Sequence, residues 1–170
     1  IQDHDIYELA ASIQTRMNFE MAAVDEIIAI AHDVKPATVC LVPENRQEIT
    51  TEGGLDVAGQ QTWLTEVVAG MHALGITVSM FIDPDMAQIE ASEATGADYV
   101  ELHTGAYANA TGADLDRELG RLQQAAEALA SSPMGFHAGH GLTVENLPPV
   151  AALPGLKEVN IGHEIIARAV

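Results

Sequence analysis

Cysteine is nearly absent from these 170 residues: Cys40 stands alone. No disulfide can form within the chain, and no thiolate cluster is available for a zinc site. Cys40 lies in the apolar run Ala37–Val42, where a buried structural thiol is the expected role. Basic residues are also scarce. Seven Lys and Arg stand against 25 Asp and Glu, a formal net charge of −18. Nucleic acid and anionic membranes select basic patches, so neither is an expected partner. No apolar stretch approaches the roughly 18 residues of a transmembrane helix. No charged segment leads an apolar one as in a secretory signal, and a cytoplasmic protein is the expectation. Tracts rich in proline, glycine and serine are missing too. With 48% hydrophobic residues, the chain is expected to fold as a single domain over residues 1–170 with a sizeable core.

What is present is an alternation of two hydrophobic periods. A helix is expected through Ile6, Leu9, Ala10 and Ile13, with Asp3 or Asp5 as caps, then a strand at about Met17–Met21. A helix through Ile27, Ile28 and Ala31 stops near Lys35 and Pro36, and Ala37–Val42 reads as a strand buried on both faces. After a long polar loop, Pro43–Asp56, come a helix (Val57–Leu74, ended by Gly75) and a strand (Ile76–Ile82). A helix at about Asp85–Thr95, a strand at Tyr99–Leu102 and a helix at Asp114–Ala130 follow. Short strands near Gly135–Ala138 and Glu158–Ile161 close the series, with helices after Thr143 and after the last strand. Strand–helix alternation implies parallel strands joined by right-handed crossovers. Two architectures fit: an open doubly wound sheet, or six units of an eight-unit (β/α) barrel, which would take about 150 to 190 residues. The chain begins with Ile1 at the approach to a helix and stops in the apolar pattern Ile165–Val170 without a cap, so both ends are expected to be cut.

In such folds chemistry gathers beyond the carboxyl ends of the strands. Polar residues fall there at every strand: Glu20; Glu44; Asp83; Glu101 and His103; His137 and His140; Asn160 and His163. Alternation between Phe19 and Met21 points Glu20 inward, where an unpaired buried carboxylate is costly enough to favour a functional role. Glu101 has the same character. Asp83, before Pro84, reads as a helix cap. His32 and His72 lie on helices and read as surface residues, and Glu44 and Arg46 as solvated loop charges. His137 and His140, beside glycines, suit either acid–base work or metal binding, although their spacing matches no standard zinc motif. Gly162 and His163 open the final helix, a place where barrels commonly hold phosphate.

The segment Leu41–Val57 (LVPENRQEITTEGGLDV) resembles the most distinctive loop of the pyridoxine 5′-phosphate synthase family. Arg16–Ala22 (RMNFEMA), Ser79–Asp83 (SMFID), Glu101–Gly105 (ELHTG) with Tyr107 and Ala108, Ala138–Leu142 (AGHGL) and Asn160–His163 (NIGH) match in family order. The resemblance implies an α/β TIM (β/α)8 barrel, of which this chain carries about six strands, lacking the first two βα units and most of the last helix. It implies a transferase of vitamin B6 synthesis that joins 3-amino-2-oxopropyl phosphate to 1-deoxy-D-xylulose 5-phosphate. The products are pyridoxine 5′-phosphate, phosphate and water, and no metal or other cofactor takes part. An octamer acting on small phosphorylated substrates is implied as well. Residue by residue, Glu20 matches a general base, His140 a general acid and Glu101 a carboxylate assisting the transition state. Thr50, Gly141, Gly162 and His163 match ligand-binding positions. The chain departs from the family at His137, where Asn is usual, at Asn45, where Lys is usual, and in a shorter Ala130–Phe136. A catalytic His and a binding Arg belong to the absent N-terminal units. Two other readings stand beside this one: a noncatalytic phosphate-binding or assembly remnant, and a metal-dependent hydrolase using His103, His137, His140 and His163.

Overall fold

A computed structural model of the protein describes residues 2–44 and 53–170. The Arg46 and Asn45 readings and the Thr50 assignment lie outside the described residues.

The elements run α1 (Asp3–Ser12), β1 (Asn18–Ala22), α2 (Asp25–Val34), β2 (Thr38–Val42), α3 (Val57–Ala73) and β3 (Thr77–Ile82). They continue α4 (Met86–Thr95), β4 (Tyr99–His103), α5 (Gly105–Asn109), α6 (Ala113–Leu129), β5 (Gly135–Gly139), α7 (Leu147–Ala151), β6 (Leu156–Asn160) and α8 (His163–Ala169). Helix ends follow local chemistry. Lys35 adopts the left-handed conformation (φ 52°) at the end of α2, just before Pro36, and Gly96 does so (φ 83°) at the end of α4. At α1, Asp5 rather than Asp3 acts, its carboxylate accepting the Gln2 N–H at 2.8 Å.

All strand pairs are parallel, in the order β1-β2-β3-β4-β5-β6. A doubly wound sheet reverses its strand order at a switch point. Here each strand pairs with its successor without reversal, as in a barrel wall, and the chain forms such an arc.

The two faces of the arc differ because side chains alternate along a strand. Val39, Leu41, Val78, Met80, Ile82, Val100, Leu102, Phe136 and Ala138 point to the helices. There they form one core with Leu64, Val68 and Met71 of α3, Ile89 of α4 and Leu122, Ala126 and Leu129 of α6. The opposite face is largely polar: Glu20, Glu101, His103 and His137 share it with a small apolar cluster of Cys40, Val42 and Phe81. Cys40 is buried as expected, but on this inner face, with its Sγ 3.7 Å from a Glu101 carboxylate oxygen. Burial, and then the charges of Glu101 and Glu20, push its thiol pKa well above the ordinary value. The thiol is therefore held neutral.

Candidate active site

Strand ends place several of the polar residues around one mouth. A cleft of about 740 Å³ at the carboxyl ends of the strands is lined by Glu20, Glu101, His140, Gly141, Gly162 and His163 together with Asn18, Phe81 and Asn160. The six described residues that the family resemblance assigns to the site therefore meet at one place. Asn18, two residues before Glu20 on the same face, was legible from alternation alone. Asn160 was recognised as a strand-end residue but without its partner.

The two carboxylates differ in setting. Glu101 is buried and accepts a hydrogen bond from Asn160 Nδ2 at 2.7 Å. An amide donor holds a carboxylate without neutralising it, so Glu101 is kept oriented. Its room comes from Gly139 on the next strand, because a Cβ there would stand 2.1 Å from Glu101 Oε1. Glu20 points to the same inner face, in register with Cys40. It is exposed rather than buried, which corrects the expectation from the sequence. Facing open cleft, it has the solvent access that a group exchanging protons with a substrate needs.

His140 sits just past β5 in an uncommon conformation. Its φ is 86°, and Gly141 follows with φ 73°. A left-handed non-glycine residue costs on the order of 1–3 kcal/mol and persists only where its surroundings over-determine it. Against its ring, edge-on, stands that of His103, with centroids 5.0 Å apart. His103 is buried and its Nδ1 lies 3.0 Å from Asp83 Oδ1. Asp83 is thus not the cap of α4, a position occupied by Asp85. Its carboxylate instead orients His103, and that hydrogen bond is the main cause holding its pKa below the ordinary value. Asp83, His103 and His140 form a connected row that ends, at His140, in the lining of the cleft.

His137 does not reach the mouth. Strand alternation turns it to the inner face opposite Glu101, and its ring stacks on Tyr99 with centroids 4.7 Å apart and planes 22° apart. Burial is the first cause lowering its pKa, with nearby Glu158 opposing it. Of the four histidines of the metal reading, His137 is thus turned away from the others, and among the described residues no group of three His, Cys, Asp or Glu is placed to hold a metal. His72, on α3, bonds Asp98 at 2.9 Å. His32 is only half-exposed, with its Nε2 buried, and is less of a surface residue than its helical position implied.

A family model described as pyridoxal phosphate biosynthesis protein PdxJ matches residues 1–170. The chain is 54% identical over 170 residues to the pyridoxine 5′-phosphate synthase of Pseudoalteromonas translucida, covering 99% of this chain and 70% of that protein. It is 53% identical over 171 residues to the enzyme of that name from Magnetococcus marinus, covering 100% and 70%. Among solved structures, the YdjI aldolase from Escherichia coli K12 superposes with a TM-score of 0.63 at 17% identity, covering 98% of this chain and 61% of that one. The EAL domain of Xanthomonas citri FimX superposes with a TM-score of 0.62 at 10% identity, covering 89% and 62%. At these identities the likeness to the two structures is one of fold. The chain spans about three fifths of the length of each.

Proposed function

Since the chain belongs to the pyridoxal phosphate biosynthesis protein PdxJ family, matched along residues 1–170, we propose that it carries out pyridoxine 5′-phosphate synthesis. The reaction condenses 3-amino-2-oxopropyl phosphate with 1-deoxy-D-xylulose 5-phosphate and releases phosphate and water. The observation that carries this reading is the convergence of Glu20, Glu101 and His140 with Gly141, Gly162 and His163 on a single cleft.

Closing a pyridine ring from an amine, carbonyl groups and a leaving phosphate needs several proton transfers in one place. Positioned acids and bases of different character supply them. Glu20, open to the cleft, takes protons as general base. His140, held beyond β5, returns them as general acid to departing oxygens. Glu101, oriented by Asn160, faces the positive charge that develops on nitrogen as the ring forms. Gly141 and Gly162 leave the backbone open for close approach of substrate phosphate, with His163 beside them, which offsets the chain's net charge of −18 locally. Thr50 completes the binding set. In the same reading, residues 1–170 form the greater part of a single (β/α) barrel domain, which assembles as an octamer in the cytoplasm.

A coupled assay of the full-length protein with both phosphorylated substrates tests it, with appearance of pyridoxine 5′-phosphate as the expected result. Glu20→Gln should keep the fold and lower turnover by roughly 100-fold or more, as loss of a positioned base does. Near-normal turnover would remove Glu20 from its role.

A further inference from the structure

The left-handed turn that presents His140 is held through its carbonyl groups. Thr104 Oγ1 lies 2.8 Å from the Gly139 carbonyl oxygen and 2.6 Å from that of His140. The Thr104 backbone N–H donates to Gly139 as well, at 2.9 Å. The next carbonyl, that of Gly141, accepts from Asn146 Nδ2 at 3.1 Å. Asn146 is itself fixed: its Oδ1 accepts the Thr143 N–H at 2.8 Å, and its own carbonyl accepts the Tyr107 hydroxyl at 2.8 Å. Three successive carbonyls, from Gly139 to Gly141, are thus each tied to a side chain: the first two to Thr104 at the end of the neighbouring strand, the third to Asn146 five residues further along the same loop.

Thr104 is the tie at the centre. It is completely buried and occupies the N-cap position of α5. A threonine there ordinarily turns its hydroxyl onto the N–H groups of its own helix. Here no such bond is made, and the hydroxyl faces the neighbouring strand end instead. Its one proton serves either of two carbonyl oxygens flanking the His140 peptide. A valine would fill the same space and offer neither bond.

We propose that Thr104 is a positioning residue for His140, holding the strained backbone that aims the imidazole into the cleft, with Asn146 as the second tie. The proposal rests on the reading of His140 as the general acid. Its reach is through geometry alone: Thr104 is not among the residues that line the cleft.

Thr104→Val should lower kcat about 10- to 100-fold, the scale of a small misplacement of a catalytic group, while KM changes little. Thr104→Ser, which keeps the hydroxyl, should return kcat to within about threefold. The deciding measurement is a double-mutant cycle with His140→Asn, a residue that tolerates left-handed backbone. If Thr104 acts through His140, Thr104→Val costs nothing further in that background. An equal loss in both backgrounds, or a folded Thr104→Val enzyme with normal kcat, overturns the proposal. Should Thr104→Val fail to fold, Asn146→Ala takes its place in the same cycle, with the same expected disappearance of its effect. Normal turnover of His140→Asn alone would instead remove the general-acid role, and this proposal with it.

Discussion

His137 and His140 are three positions apart, yet the fold sends them into different surroundings. His140 lies beyond the strand in a left-handed turn at the cleft, while His137 is buried on β5 against Tyr99. Burial lowers the His137 pKa, so between that lowered value and the ordinary value of about 6.5 the unfolded chain binds a proton that the folded chain does not. Stability therefore falls as pH drops through that window and is fully present above it. His137→Asn removes the titration. Urea unfolding at a series of pH values from 7 to 5 should show a smaller loss of stability for the variant than for the parent. A parallel loss in both would mean that His137 is protonated as readily in the fold as outside it.

At the scale of elements, the cap of α3 shows how local chemistry seats the wall of the barrel. Asp56 accepts the Gly59 N–H at 3.0 Å and also the Gln88 side-chain amide at 3.0 Å. It thereby both starts α3 and ties it to α4. Asp56→Ala should destabilise the protein by about 0.5–2 kcal/mol, the range for loss of an N-cap. The midpoint of chemical denaturation would register it, and an unchanged midpoint would mean the cap is replaced by solvent. The strands and long helices were legible in the sequence because hydrophobic period and flanking Gly or Pro mark them independently of context. The short α5 was not. Its residues, Gly105–Asn109, carry no amphipathic repeat, and contacts beneath the His140 turn decide its place.

On the scale of the molecule, the helices are held to the sheet by one apolar core. Leu64, fully buried on α3 within that core, is expected to cost about 2–5 kcal/mol when truncated to alanine. The cleft lies on the opposite face of the sheet, so Leu64→Ala should lower the thermal midpoint while leaving kcat near normal at temperatures where the protein stays folded. A loss of kcat without loss of stability would show that the two faces are coupled.

Sequence by itself determined the parallel α/β architecture and which residues stand at the strand ends, because alternation along a strand is a local property and the family motifs lie in order. It also marked Glu20, Glu101 and His140 through their position and type. Tertiary structure alone decided the rest: that Glu20 is open while Glu101 is buried against Asn160, that Asp83 orients His103 instead of capping a helix, and that His137 turns away from the cleft. Each of these depends on which groups from distant parts of the chain come within hydrogen-bonding or stacking distance. Only the closing of neighbouring strands and loops around the inner face of the sheet sets those distances.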